Sequence, residues 1–350
     1  MREDDLDAAD DLAAVVEKPR AEVAIESLRA EGVYDDARRV REYGDAVALP
    51  VTEPPDETEV REVVRQVDPD RRNPDLDTLL RDRGWTDDEL ARAPGSWSVV
   101  GSVILVTFDD CPRESEVGEA LLELHGAADT VVASEGVSGE RREPSVRVVA
   151  GDGDTETVHT EHGTRYALDL AEVMFSPGNK AERARMGDAI SPGERVFDMF
   201  AGIGYFTLPM ARAGAHVTAA EINPTAFRYL TENAVLNDVQ DRVSPYRADC
   251  RDVETTADRV VMGYYDATEP TEDADGPTYE YLDAALAALE SGGVVHVHDA
   301  CPEALLWDRP VSRIEAAAAE RGREVEVLDR RRVKSHSEGV AHVVVDARMS

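Results

Sequence analysis

The chain predicts an α/β fold built on a mainly parallel sheet, and two observations carry that prediction. From about residue 170 onward, apolar runs of strand length alternate with helix-length amphipathic stretches. That alternation is the pattern of helices packed on both faces of a parallel sheet. Within it, Val196 to Thr207 reads Val-Phe-Asp-Met-Phe-Ala-Gly-Ile-Gly-Tyr-Phe-Thr. An apolar run ends in a carboxylate and passes through a glycine pair into an apolar-periodic stretch. A strand, a tight turn and a helix N-terminus of this kind let backbone N–H groups approach a nucleoside cofactor, because glycine lacks a Cβ.

The strand candidates of this region are 195–200, 215–221, 243–248, 257–263, 292–298, 324–330 and 340–347, a seven-stranded sheet. Helices are expected near 180–189, 204–213, 224–236, 278–290 and 311–321. The last two strands leave no room for a crossover helix, so they should close the sheet as an antiparallel C-terminal hairpin. Upstream, Ser96 to Phe108 is a β-branched strand signal with a central glycine, Glu114 to His125 a helix candidate, and Val131 to Val149 a turn with another strand. These predict a small α+β domain over 96–168, ahead of a catalytic domain over 169–350. Residues 10–48 hold two helix-like stretches, and 55–95 are rich in Asp, Glu, Arg and Pro. Residues 1–95 are read as an acidic accessory region and linker.

The 350 residues carry 73 acidic and 38 basic side chains, a net charge of −35. Only Lys18, Lys180 and Lys334 are lysines. A strongly acidic chain ordinarily repels nucleic acid. Here the acid is spread along the whole sequence while alanine and valine are plentiful. This composition is similar to that of proteins from salt-loving organisms, where molar salt screens charge within about 3 Å. Local arginine clusters then say more about a partner than the total does. Three separated cysteines, Cys111, Cys250 and Cys301, fit a reducing interior rather than a disulfide framework. No secretory leader and no run of spanning length is visible, so a cytoplasmic protein without a membrane partner is expected.

Gly202-x-Gly204 alone is shared with nicotinamide-binding folds. Three neighbours narrow it. Asp198 ends the first strand, where nicotinamide folds usually have small residues. Thr207 stands at the third glycine of the dinucleotide fingerprint, so there is less provision for a pyrophosphate. The second strand ends at Glu221, 17 residues after Gly204, where a carboxylate can hold ribose hydroxyls. The third ends in Asp249-Cys250, where a carboxylate accepts from an adenine amino group and the next N–H donates to a ring nitrogen. Carboxylates on three strand ends with one glycine turn suit S-adenosylmethionine. A nicotinamide dehydrogenase is the rival enzyme class, and a non-catalytic RNA-binding protein the rival outside enzymes.

The stretch from Glu161 to Met186, including Glu161-His-Gly-Thr-Arg-Tyr-Ala-Leu-Asp-Leu and Phe175-Ser-Pro-Gly-Asn-Lys-Ala-Glu-Arg-Ala-Arg, resembles the signature of two sister families acting on guanosine 37 of tRNA. One is the archaeal and eukaryotic guanine-N1 methyltransferase. The other is the wyosine-pathway aminocarboxypropyltransferase, which moves the 3-amino-3-carboxypropyl arm of S-adenosylmethionine onto C7 of 4-demethylwyosine. The likeness covers about 96–350 and implies a class I methyltransferase-like, Rossmann-like sheet. The methyltransferase places Asn-Leu-Pro after its fourth strand and typically an arginine where this chain has Gly178. This chain reads Met262-Gly263-Tyr264-Tyr265, and later His296-Val-His298-Asp-Ala-Cys-Pro-Glu, which looks like the aminocarboxypropyltransferase. The N1-methyltransferase stays the alternative.

The resemblance assigns cofactor contacts to Ser176, Arg183, Glu221, Asp249 and Cys250, beside Asp198, Gly202 and Gly204 from the strand-end pattern. Arg183 would fork onto the methionine carboxylate. Gly263, Tyr264 and His298 are substrate-side candidates. Arg141-Arg142 and the run Arg330-Arg331-Arg332-Val-Lys334 are candidate tRNA contacts. His296, His298 and Cys301 lack the further ligand pair of a zinc site, so no metal is expected. The sequence singles out no catalytic residue or proton acceptor. A monomer acting on the anticodon loop of tRNA is expected.

Overall fold

Alternating strands and helices from Arg195 onward place one large sheet in the C-terminal half of the chain. The computed structural model describes residues 11–66, 75–273 and 276–350. The chain divides into two compact units, one up to Ala91 and one from Arg92.

The first unit contains β1 (Leu12–Glu17), α1 (Ala21–Ala30), β2 (Arg41–Tyr43), β3 (Ala46–Val51), β4 (Glu62–Arg65), α2 (Leu76–Asp82) and α3 (Asp87–Leu90). Its sheet runs β2-β3-β1-β4. Of the two helix-like stretches expected over 10–48, only α1 forms. Leu12–Glu17 is a strand because its Ala-Ala-Val-Val run is buried and paired with β3 on one side and β4 on the other, and pairing overrides local propensity. The expected linker over 55–95 also carries structure. Asp75 caps α2 through the Thr78 N–H at 2.9 Å, and Thr86 and Glu89 form a capping box on α3. Residues 1–10 and 67–74 of the accessory region lie outside the described residues.

In the second unit, β5 (Trp97–Val100), β6 (Val103–Val106), α4 (Glu114–Leu124), β7 (Thr130–Ser138) and β8 (Glu143–Gly151) form a sheet ordered β5-β6-β7-β8. The single strand expected over 96–108 is a hairpin. It breaks at Gly101, whose φ is +59° and where a Cβ would lie 2.0 Å from Thr157 Oγ1. A second hairpin, β9 (Glu156–Glu161) and β10 (Thr164–Asp169), leads to α5 (Lys180–Asp188).

There follow β11 (Arg195–Asp198), α6 (Thr207–Ala213), β12 (His216–Ala220), α7 (Pro224–Leu236), β13 (Val243–Tyr246) and β14 (Ala257–Met262). A short hairpin, β15 (Thr271–Asp273) and β16 (Gly276–Thr278), precedes α8 (Glu280–Ala288), β17 (Leu289–Pro302), α9 (Asp308–Glu320), β18 (Val325–Ser337) and β19 (Val340–Met349). The seven-stranded sheet runs β13-β12-β11-β14-β17-β19-β18. Its first five strands are parallel, and β19 lies antiparallel between β17 and β18, as the missing crossover requires. Val260, Val261, Val295, Val297 and Val343 to Val345 are fully buried, as central strands covered on both faces must be. Edge strand β18 is exposed along most of its length and carries Arg330 to Arg332, which discourages pairing with another chain.

Three polar anchors position the strand ends. The Asn233 amide, buried on α7, accepts from Ala167 N–H at 2.7 Å and donates to the Ala167 and Ile203 carbonyls at 3.0 Å each. It ties α7 to β10 and to the turn after β11. Glu161, at the end of β9, receives Arg183 Nε at 2.6 Å and Nη2 at 2.8 Å, both side chains buried. Burial alone would raise the Glu161 pKa, but hydrogen bonds from His159 and Arg183 and the Arg183 charge bring it down to about 2. Asp346 on β19 meets His296 Nδ1 at 2.6 Å, Arg185 at 2.5 Å and Arg331 at 2.7 Å, and Arg331 Nε reaches Glu182 at 2.8 Å. This network fastens α5 to the C-terminal strands.

Asn233→Ala orphans one N–H and two carbonyls in the interior, and should lower the unfolding free energy by about 2–4 kcal/mol. Val235→Ala, at an exposed position of the same helix, should cost under about 1 kcal/mol. Urea denaturation of both variants checks this, and equal losses would contradict the anchor. Glu161→Gln leaves the Arg183 charge buried without its anion and should cost about 3–5 kcal/mol. The folded pKa of about 2 lies below the unfolded value of about 4.3. The pair therefore contributes fully above the unfolded value and is lost as pH falls toward the folded one. Denaturation between those pH values should be less pH-dependent in Glu161→Gln, and an unchanged acid limb would refute the pairing.

Candidate functional site

The C-terminal ends of β11, β12, β13 and β14 open onto one cavity of about 320 Å³, within the range of small-molecule sites. Strand ends of an open α/β sheet are where such a crevice forms.

The turn after β11 is held from inside. The Asp198 carboxylate is fully buried; it accepts from Thr207 Oγ1 at 2.7 Å and from Phe200 N–H at 3.4 Å. Burial pushes its pKa up to about 6, against those hydrogen bonds. Gly202 and Gly204 have φ of +56° and +103°. A Cβ would lie 2.3 Å from the Tyr205 ring at the first and 2.7 Å from Leu208 at the second. Both glycines therefore serve the fold of the turn, and only Gly202 lines the cavity. Asp198 and Gly204 do not, which corrects the expectation of direct cofactor contact. The strand-end position is right, but the Asp198 side chain turns inward to Thr207. Helix α6 also starts at Thr207, three residues later than expected.

Glu221, Asp249 and Cys250 line the cavity as the sequence expects. Glu221 is held by the N–H groups of Gly202 at 2.8 Å and Asn223 at 2.7 Å; burial raises its pKa against these bonds. Each oxygen keeps a lone pair for a further donor. Asn223 in turn caps α7 through the Thr225 N–H at 2.9 Å, followed by Pro224 at the first helical position. Asp249 accepts from Arg251 N, Nε and Nη2 at 2.9, 3.0 and 2.6 Å, and the Arg251 hydrogen bond holds its pKa below the usual range. The Cys250 thiol is buried and pushed up to about 12, so it is neutral and unreactive.

An aromatic wall stands beside these carboxylates. Phe200 lies 5.4 Å, centroid to centroid, from both Tyr264 and Tyr281, and Arg251 sits 4.6 Å over Tyr281. Tyr264 follows from the sequence. Phe200 and Tyr281 do not, although Phe200 falls inside the turn itself and Tyr281 arrives from α8. Gly263 presents only backbone to the cavity, and a Cβ there would meet Phe206 at 3.1 Å.

The wall formed by α5 and the segment before it is cationic. Ser176 and Arg183 both line the cavity, but the Arg183 fork is engaged by Glu161, and its Nη1 donates to the Ser176 carbonyl at 2.9 Å. The fork is thus turned onto Glu161, which supplies the anion that a buried guanidinium requires, while Arg183 still lines the cavity with two of its five N–H groups unengaged. Arg183 also packs 4.8 Å over Phe175. Lys334 reaches the cavity and donates to Ser176 Oγ at 2.8 Å. Within the run expected to contact tRNA, Arg331 is bound to Glu182 and Asp346 and Arg332 to Glu303 at 2.8 Å.

Arg141 and Arg142, at the tip of the β7–β8 hairpin, line the cavity too. The Arg141 carbonyl accepts from Asn223 Nδ2 at 3.1 Å, which holds the tip over the β12 end. His298 is not at the cavity surface. It is buried, with Nδ1 3.0 Å from His342 Nε2 and its ring 5.1 Å from Phe206; on a central strand the alternation turns it into the core. His342 Nδ1 lies 3.4 Å from the hydroxyl of Tyr265, which does line the cavity. Among the described residues, no group of His, Cys, Asp and Glu is arranged to hold a metal ion, and no helix is long and apolar enough to cross a membrane.

A nucleoside carrying an amino-acid arm fits this chemistry: carboxylates on the β12 and β13 ends, an aromatic wall, and cations beside Ser176. The comparisons agree. Residues 157–328 match the model of the TRM5/TYW2 methyltransferase domain, and 76–155 that of the TYW2 N-terminal domain. The chain is 38% identical over 261 residues to the tRNA(Phe) (4-demethylwyosine(37)-C(7)) aminocarboxypropyltransferase of Pyrococcus horikoshii, covering 73% of this chain and 90% of that protein. It is 32% identical over 348 residues to the tRNA (guanine(37)-N(1))-methyltransferase Trm5b of Pyrococcus abyssi. The crystal structure of that enzyme superposes with a TM-score of 0.73 over 97% of this chain and 99% of its own. The Pyrococcus horikoshii TYW2 structure in complex with MeSAdo superposes with a TM-score of 0.65 at 35% identity, over 77% and 96%. A strand-end pocket of this build, carried by these sequence likenesses, places the chain in the TRM5/TYW2 family of tRNA-modifying transferases.

Proposed function

We propose that this protein transfers the 3-amino-3-carboxypropyl group of S-adenosylmethionine to C7 of 4-demethylwyosine at position 37 of tRNA(Phe). The observation that carries the choice of transferred group is Gly263. At the end of β14 the cavity wall is bare backbone packed on Phe206, with no side-chain amide to orient a target nitrogen. The higher identity to the aminocarboxypropyltransferase and the match to the TYW2 N-terminal domain support the same reading. Guanine-37 N1 methylation is the second reading, favoured by the full-length likeness to Trm5b.

Glu221 accepts from the ribose hydroxyls while Gly202 and Asn223 fix its carboxylate. Asp249 accepts from the adenine amino group, oriented by Arg251, and the Cys250 N–H donates to the ring. Ser176 and its cationic neighbours face the amino-acid arm. Phe200, Tyr264 and Tyr281 exclude water and offer faces for stacking. Arg141 and Arg142 are placed to meet tRNA phosphate. Bound S-adenosylmethionine supplies an activated sulfonium: the C7–Cγ bond forms as the Cγ–S bond breaks, methylthioadenosine leaves, and the C7 proton passes to solvent. The protein acts as a monomer in this reading.

Incubation with tRNA(Phe) bearing 4-demethylwyosine and S-adenosylmethionine labelled separately in carboxyl and methyl should place carboxyl label, and no methyl label, in the tRNA. Methyl label alone would refute the assignment. Asp249→Ala removes a charged hydrogen-bond acceptor and should raise KM for S-adenosylmethionine by roughly 10-fold or more; an unchanged KM would remove Asp249 from the site.

A further inference from the structure

Lys334 stands out among the cations of this chain. It comes from edge strand β18, reaches the cavity and is part-buried, yet its ammonium makes one hydrogen bond, to the neutral Ser176 hydroxyl at 2.8 Å. Among the described residues no carboxylate lies within ion-pair distance of it. Its neighbours are treated otherwise: Arg183 has Glu161, and Arg331 has Glu182 and Asp346. Burial and the nearby Arg183 charge both act against a charged lysine here, lowering its pKa. An amine placed where desolvation and a like charge oppose its cation either gives up its proton or takes an anion from outside the chain, and its place in the cavity lining beside Ser176 leaves it open to such an anion. The acidic composition makes the omission sharper, since 73 carboxylates are available in the sequence.

Gly178 makes the arrangement possible. A Cβ at that position would lie 3.1 Å from Lys334 Cδ and 3.3 Å from Nζ. The lysine stem therefore occupies the space a side chain at 178 would need. Any residue larger than alanine would push the ammonium away from Ser176. Three of the five Arg183 N–H groups are already engaged and its charge is paired with Glu161, whereas the Lys334 charge has no carboxylate partner among the described residues.

We propose that Lys334 is the receptor for the α-carboxylate of the amino-acid arm, in space that Gly178 leaves open, and so determines which ligands with an arm the pocket accepts. This rests on reading the cavity as an S-adenosylmethionine site. The anchor acts on the arm itself rather than on the nucleoside. It holds the far end of the group to be transferred and limits the positions its Cγ can take. A tRNA phosphate is the other anion the ammonium could meet, and the experiment separates the two.

Calorimetric titration of the full chain with S-adenosylmethionine, its decarboxylated analogue and methylthioadenosine tests the proposal without turnover. The wild type should prefer S-adenosylmethionine over the decarboxylated analogue by roughly 10-fold or more, the scale of a charged hydrogen bond. Lys334→Met should reduce that preference to near unity with methylthioadenosine binding unchanged, Lys334→Arg should keep part of it, and Gly178→Val should lose it as Lys334→Met does. The proposal is overturned by a wild type without preference, by a Lys334→Met variant that retains it, or by equal loss of methylthioadenosine binding, which marks a merely structural lysine. Loss of tRNA affinity with the preference intact would assign the ammonium to phosphate and also overturn it. Failure of the transfer reading shows differently: the preference would stand while only methyl label entered tRNA.

Discussion

The buried ion pair between Glu161 and Arg183 is the constraint on which the rest of the site depends. Two charges removed from water are costly, and their attraction offsets that cost only when geometry and extra hydrogen bonds are good. Here the fork is bidentate, His159 adds a contact at 3.1 Å, and the third guanidinium nitrogen holds the Ser176 carbonyl. The pair thereby locks the end of β9, the Ser176 segment and α5 into one wall. Arg183 has its anion in Glu161, whereas Lys334, which also lines the cavity, has no carboxylate within ion-pair distance among the described residues.

A second constraint is the closure of the turn after β11. Asp198 is kept fully buried by Thr207 and the Phe200 N–H, and the two left-handed glycines let Tyr205 and Leu208 fold back over them. The turn is thus set before any ligand arrives. It presents Phe200 to the cavity wall and the Gly202 N–H to Glu221, which that bond fixes at the next strand end. The same logic extends along the sheet: Glu221 fixes Asn223, Asn223 caps α7, and Asn233 on that helix ties it to β10. Preorganisation of this kind holds ligand-binding groups in place without cost at the moment of binding.

Much of the fold is legible in the sequence. The seven strands of the large sheet follow from apolar runs alternating with helices, and the C-terminal hairpin follows from a connection too short to cross over. Leu12–Glu17 is not legible, since a short Ala-Val run carries no period that separates helix from strand; its pairing with β3 and β4 decides. The hairpin break at Gly101 depends on Thr157, which lies far along the chain. Within the site, Glu221, Asp249, Cys250 and Gly202 are readable because strand ends in an open α/β sheet share one crevice. Asp198 and His298 sit on the expected strands but turn into the core. Tyr281, Tyr265 and Lys334 reach the cavity through topology alone, and Lys334 in particular hides within a basic run that reads as surface.

In the proposed reaction, a pocket with Gly263 as bare backbone and with Lys334 lacking a carboxylate partner among the described residues directs the amino-acid arm, not the methyl group, to the base. The nucleoside released at turnover reports this most directly. Chromatography of the products formed with 4-demethylwyosine-containing tRNA(Phe) should show methylthioadenosine accumulating one for one with modified tRNA. S-adenosylhomocysteine in its place would contradict the account.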